Sequence, residues 1–137
     1  MPFEPITIKG IIAEDVGKPQ NDGTPGSALY EVPFQLSHRA PPRWASLFVE
    51  AWNKPTTFTS SHRPGICAVA GDRVWLNGTT LDEVERTHKP TLKLAQDEAN
   101  KKYAELVAAE EARNASQAQK DSAHEDYVRE KAKQIKF

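Results

Sequence analysis

The chain has a single cysteine, Cys67, in 137 residues. A lone cysteine excludes an intrachain disulfide and suits a reducing compartment, so a cytoplasmic location is expected. Long hydrophobic runs are missing too. No apolar stretch approaches the ~20 residues that span a bilayer, so no membrane association is expected. The opening Met1-Pro2-Phe3-Glu4-Pro5 carries neither a basic nor an apolar stretch, and no secretory signal is expected from it. Charge of one sign is also scarce. The net charge is −1, with seven basic and seven acidic side chains in residues 1–78 and eleven and twelve in residues 79–137. No overall field therefore draws the chain to nucleic acid or to an anionic surface. The glycine-containing stretch 17–26 has no following Lys-Ser or Lys-Thr, which excludes a phosphate-binding loop.

What is present centres on residues 66–107. Residues 66–70 and 73–77 are short, strand-forming runs separated by Gly71-Asp72. Glycine followed by a polar residue predicts a two-residue type II′ hairpin, because glycine supplies positive φ at the first central position. That loop sets Val69 opposite Val74 and Cys67 opposite Leu76 on one face, with Ala68 and Trp75 on the other. Apolar groups on both faces predict a central hairpin. Asn77-Gly78 is expected to end the strand. Thr80 with Glu83 then fits a capping box at a helix start. Leu81, Val84 and His88 lie at helical spacing, and Pro90 predicts a kink or the start of a new helix.

From Thr91 to the end there is neither glycine nor proline. Leu92, Ala95, Ala99, Tyr103, Leu106 and Val107 form a narrow apolar stripe near helical spacing. A continuous helix over these residues would run roughly 70 Å, more than so small a domain can cover. After Val107 the stripe fades into a charged, Ala-rich stretch with high helix propensity and little to bury. Tyr127, Val128, Ile135 and Phe137 return some apolar character at the end.

Upstream, residues 6–12 read as the first strand and residues 28–36 as the second, joined by a loop over 13–27 rich in Gly, Pro, Asn and Asp. Pro33 cannot donate to a ladder, which predicts that this strand, or one side of it, is an edge. Pro42 opens a helix to about Asn53, where Trp44, Leu47, Phe48, Ala51 and Trp52 make an amphipathic stripe. The order is strand, strand, helix, strand, strand, helix. The expected fold is α+β: a ββαββα chain with a mostly antiparallel four-stranded sheet, helices on one face, and a long C-terminal helix that projects or pairs. Residues 1–107 form the expected domain, and residues 108–137 a helical tail, partly disordered when alone.

Two Ser-His-Arg runs, ending in His38-Arg39 and His62-Arg63, flank the first helix, and His88 follows the second hairpin. These five residues form a candidate site for an anion or a nucleic acid. The histidine spacings match no metal-site pattern, so no metal and no cofactor is expected. Cys67 in an apolar strand reads as an inert thiol. Asp82, Glu83 and Glu85 are accounted for by the helix dipole. Aromatics at helical spacing, Trp44, Phe48 and Trp52, read as core and not as a stacking surface for bases. No catalytic constellation emerges, and no enzyme activity is expected. The expectation is a small binding or adaptor protein of bacterial or phage type, working through protein contacts. Its C-terminal helix, through Leu92, Ala95, Ala99, Tyr103 and Leu106, would carry self-association or partner binding. The alternative is an anion- or nucleic-acid-binding domain built on the two His-Arg loops.

Overall fold

The computed structural model describes residues 3–25, 27–55 and 62–136. Residues 56–61, and with them Ser61 of the second Ser-His-Arg run, lie outside the described residues, as do Gly26 and Phe137. Four strands, β1 (Ile8–Ile11), β2 (Tyr30–Leu36), β3 (Cys67–Ala70) and β4 (Arg73–Thr79), form one antiparallel sheet in the order β1-β2-β4-β3. Helix α1 (Pro42–Asn53) joins the two hairpins. A helical path then runs through α2 (Leu81–Glu83), a π-helical turn (Val84–His88) and α3 (Lys89–Gln134). The chain is α+β, as its pattern predicts. Residues 3–103 make one compact unit, and residues from Ala104 onward belong to a second.

The hairpin pairs Val69 with Val74 and Cys67 with Leu76, and Ala68 with Trp75 on the other face. Gly71 sits at φ 59° and Asp72 keeps negative φ, the sign pattern of a type II′ turn. Its place in the sheet differs from the expectation. Strand β4 is interior but β3 is an edge, so apolar residues on both faces of β3 did not signal a central position. Strand β4 also runs through Asn77-Gly78 instead of ending there. Tyr30 pairs with Thr79 and Glu31 with Asn77, which leaves Gly78 as the extra residue of a β-bulge at φ 124°.

Strand β2 is interior and not an edge, yet its β1 side needs no donor at Pro33. The geometry explains why. The Pro33 carbonyl accepts from Ile12 N–H at 3.0 Å. The Ile12 carbonyl, which would have faced an N–H at position 33, turns into a 3-10 turn and accepts from Asp15 N–H at 3.0 Å instead. The proline therefore falls where the neighbouring strand leaves the ladder, and no donor is lost.

The core lies on one face of the sheet. Val32, Phe34 and Leu36 of β2, Val74 and Leu76 of β4, and Cys67 of β3 meet Trp44, Phe48 and Trp52 of α1. All three aromatics are buried at the positions the stripe marks, each contributing about 2–3 kcal/mol of apolar burial. Val84, Leu92, Ala95 and Ala99 complete the same core from the helical path. Pro90 falls in the first turn of α3, one of the two outcomes its position predicts. The Lys89 N–H reaches back to the Val84 carbonyl across a widened turn. Pro90 follows as the second residue of α3, where a first-turn donor is dispensable.

Side-chain amides secure α3 to the first strand. Asn100 accepts from Ile6 N–H at 2.9 Å, donates to the Ile6 carbonyl at 2.8 Å, and accepts from Trp44 Nε1 at 2.9 Å. Gln96 Oε1 accepts from Ile8 N–H at 2.8 Å. These bonds satisfy the outer edge of the strand at Ile6 and Ile8 where no further strand exists.

Candidate functional site

The sheet and α1 bring three of the five candidate residues together. Trp52, in the last turn of α1, lies between two imidazoles, with ring centroids 4.6 Å from His62 and 5.2 Å from His88. Its indole Nε1 donates to the Arg63 carbonyl at 3.0 Å, which fixes the chain leaving the connecting loop. The Arg63 guanidinium then reaches Glu83 Oε1 at 2.7 Å and the Gly78 carbonyl of the bulge at 3.4 Å. Thr79 Oγ1 donates to the same Glu83 oxygen at 3.1 Å. The result is a polar cluster joining the end of α1, the bulge of β4 and the first turn of α2.

Glu83 explains the local design. Thr80 caps α2, its Oγ1 accepting from Glu83 N–H at 3.1 Å. The Glu83 carboxylate, however, does not fold back to complete a capping box. It turns to Arg63 and Thr79, while the Tyr30 hydroxyl accepts from the first-turn Leu81 N–H at 2.8 Å. The hydrogen bond from Arg63 is the main reason that the Glu83 carboxyl titrates below the usual glutamate range, with a further bond from Thr79.

His88 is fully buried, and neither ring nitrogen has a hydrogen-bond partner among the described residues. Burial holds its pKa below the ordinary histidine value, against the opposing pull of Glu83 and with the repulsion of Arg63 and His62. The imidazole is thus kept neutral and packed on an indole edge. That arrangement suits structure more than proton transfer.

His38 and Arg39 are elsewhere. The segment before α1 is held by Ala40 N–H donating to the Gly71 carbonyl at 2.7 Å, beside the hairpin turn. His38 Nδ1 lies 3.1 Å from Ser37 Oγ, and Arg39 is exposed. The two Ser-His-Arg runs therefore occupy opposite ends of α1 and of β4, and the five residues do not converge. The sequence repeat marks two helix-flanking connections, not one site. Sequence reasoning also missed Trp52 as the element between the two imidazoles. Its place on the core stripe gave no sign that its indole nitrogen holds the Arg63 backbone.

Of the residues expected to meet a partner, Leu92, Ala95 and Ala99 are taken up by the chain's own core. Tyr103 packs on that core and edge-on against Phe3, with ring centroids 4.6 Å apart. Only Leu106 is well exposed, at 39%. Cys67 is buried, and burial pushes its thiol up to about 12, so it is no nucleophile at neutral pH. Among the described residues no group of three His, Cys, Asp or Glu side chains is placed to share a metal ion, and no helix is long and apolar enough to cross a membrane. No protein-family model, no curated protein and no solved structure matches the chain.

Proposed function

We propose that this is a non-catalytic binding protein that acts through protein contacts, with the helical segment beyond Tyr103 as its contact element. One observation carries this reading. Residues 104–136 are helical to Gln134, yet none is buried, and Leu106, Tyr127, Val128 and Ile135 stand exposed. Most helical stability in proteins comes from burying one face. Short-range pairs give modest support there, among them Gln117 with Asp121, Asp126 with Arg129, and Glu130 with Lys133, each worth a few tenths of a kcal/mol. A second helix that covers the Tyr127-Val128-Ile135 end would supply the missing burial, and self-association is the form we put forward. A cytoplasmic setting accords with the free, buried Cys67.

The alternative, an anion or nucleic-acid site on the His-Arg loops, draws less support. The loops lie apart, and Arg63 already neutralises Glu83. The test is the solution mass of the full chain by light scattering over a wide concentration range. The expected result is a mass above one chain's 15.3 kDa, returning to one chain in a Tyr127→Glu/Val128→Glu variant. A one-chain mass at all concentrations, with fast amide exchange across residues 104–136, would overturn the reading.

A further inference from the structure

A groove of about 660 Å³ opens between β1 and the helical path, wholly within residues 3–103. Its origin is the way the path is tied down. Gln96 and Asn100 hold α3 against the first strand at Ile8 and Ile6. Among the described residues no hydrogen bond joins residues 81–93 to β1, and there the two elements enclose open space. Half-buried Ile8 and exposed Ile11 and Leu81 line it with apolar surface, over the buried side chains of Phe34, Val84 and Leu92. The volume falls within the ~300–1,000 Å³ typical of small-ligand sites.

The rim is basic. Lys9 stands on the strand side, and Lys89 and Lys93 lie one turn apart on the helix side. All three are exposed, and none has an ion-pair partner among the described residues. Glu85 is the single acidic residue lining the groove, and it forms no ion pair with Lys89. Like charges one helical turn apart repel. An anion between them and Lys9 would relieve that repulsion. The rim lacks arginine, so it recognises charge and not the planar fork of a bidentate pair. Added strands are disfavoured as occupants. Strand β1 has four residues and a register irregularity between Ile8 and Gly10, and such bulges spoil an edge as a template.

We propose that this groove binds a small anionic amphiphile, its aliphatic body against Ile8, Ile11 and Leu81 and its carboxylate or phosphate head among Lys9, Lys89 and Lys93. This inference rests on the 3–103 unit and is independent of the helix-mediated association.

The experiment titrates decanoate, decyl phosphate and decanol, below their micelle-forming concentrations, into the isotope-labelled full-length chain. Binding is read by calorimetry and by amide chemical shifts. Both anions are expected to shift Ile8, Gly10, Ile11, Val84 and Leu92 and to bind at least about tenfold more tightly than decanol. In a Lys9→Gln/Lys89→Gln/Lys93→Gln variant with the parent's unfolding midpoint, that preference should vanish. A preference for one anion over the other would tell carboxylate from phosphate ligands. Equal binding of decanol and the anions, shifts confined to other residues, or no binding of any amphiphile would each overturn the proposal. So would binding of an acetyl-Glu-Val-Glu-Val-Glu amide peptide with no response to the amphiphiles, which would assign the groove to strand addition.

Discussion

Asn100 shows how much one side chain can hold at the residue scale. Its amide serves the Ile6 N–H, the Ile6 carbonyl and the indole of the fully buried Trp44. Asn100→Ala leaves those groups without partners in a partly buried site. The expected loss is about 2–4 kcal/mol, read as a fall in the urea midpoint at unchanged slope. His88 is the opposite case, a buried side chain with no hydrogen bond to lose among the described residues. Its pKa is lowered by burial, so as pH falls the unfolded chain takes up a proton before the folded chain does. Stability is therefore full above about pH 6.5 and declines as pH drops below that value. Burial is the largest cause of the effect; Glu83 opposes it, and Arg63 and His62 add to it. His88→Leu should leave stability at pH 7.5 within about 1 kcal/mol of the parent and should flatten the decline between pH 6.5 and 5. Denaturant titrations followed by tryptophan fluorescence at several pH values test both statements. An unchanged acid slope in the variant would show that another group carries it.

The elements are shaped by a few positions where the chain breaks its own regularity. Gly78 is the clearest. At φ 124° it forms the bulge that lets β4 reach Thr79 and brings its carbonyl to Arg63. A Cβ there would meet Ile66 Cγ2 at 3.6 Å, an ordinary contact. The penalty for Gly78→Ala is thus one of backbone strain and not of space, about 1–3 kcal/mol. Thermal unfolding should show that loss, and a Gly65→Ala control separates the bulge from positive φ in a simple turn, since Gly65 sits at φ 87° in open space. Pro33 and Pro90 make the complementary point. Each sits where the missing donor is not needed: one beside the end of β1, the other just inside α3 after a widened turn.

At the scale of the molecule, every buried apolar side chain among the described residues lies at or before Ala99. Removal of residues 104–137 should therefore leave cooperative unfolding of the remaining chain intact, with a midpoint within about 3 °C of the parent's. Calorimetry of the shortened chain checks this, and a collapse of the transition would show that the later helix supports the core. The element order, the hairpin register and the Trp44-Phe48-Trp52 stripe were legible beforehand because each is written in local spacing: period two in strands, 3.6 in helices, a glycine at the turn. Strand order was not legible, since two β-hairpins can join along either edge, and the interior place of Pro33 depended on where β1 happens to stop. The candidate site was legible only in part. Composition marks the His-Arg runs, but only the packed chain sets His62 and His88 against Trp52, commits Arg63 to Glu83 and leaves His38 at the other end of α1. Which segments become strand and helix follows from preferences that act between near neighbours. Only the folded chain decided that the apolar stripe of α3 meets the chain's own core, and where the groove beside β1 opens. Those outcomes depend on bonds such as Asn100 to Ile6, made between residues 94 positions apart.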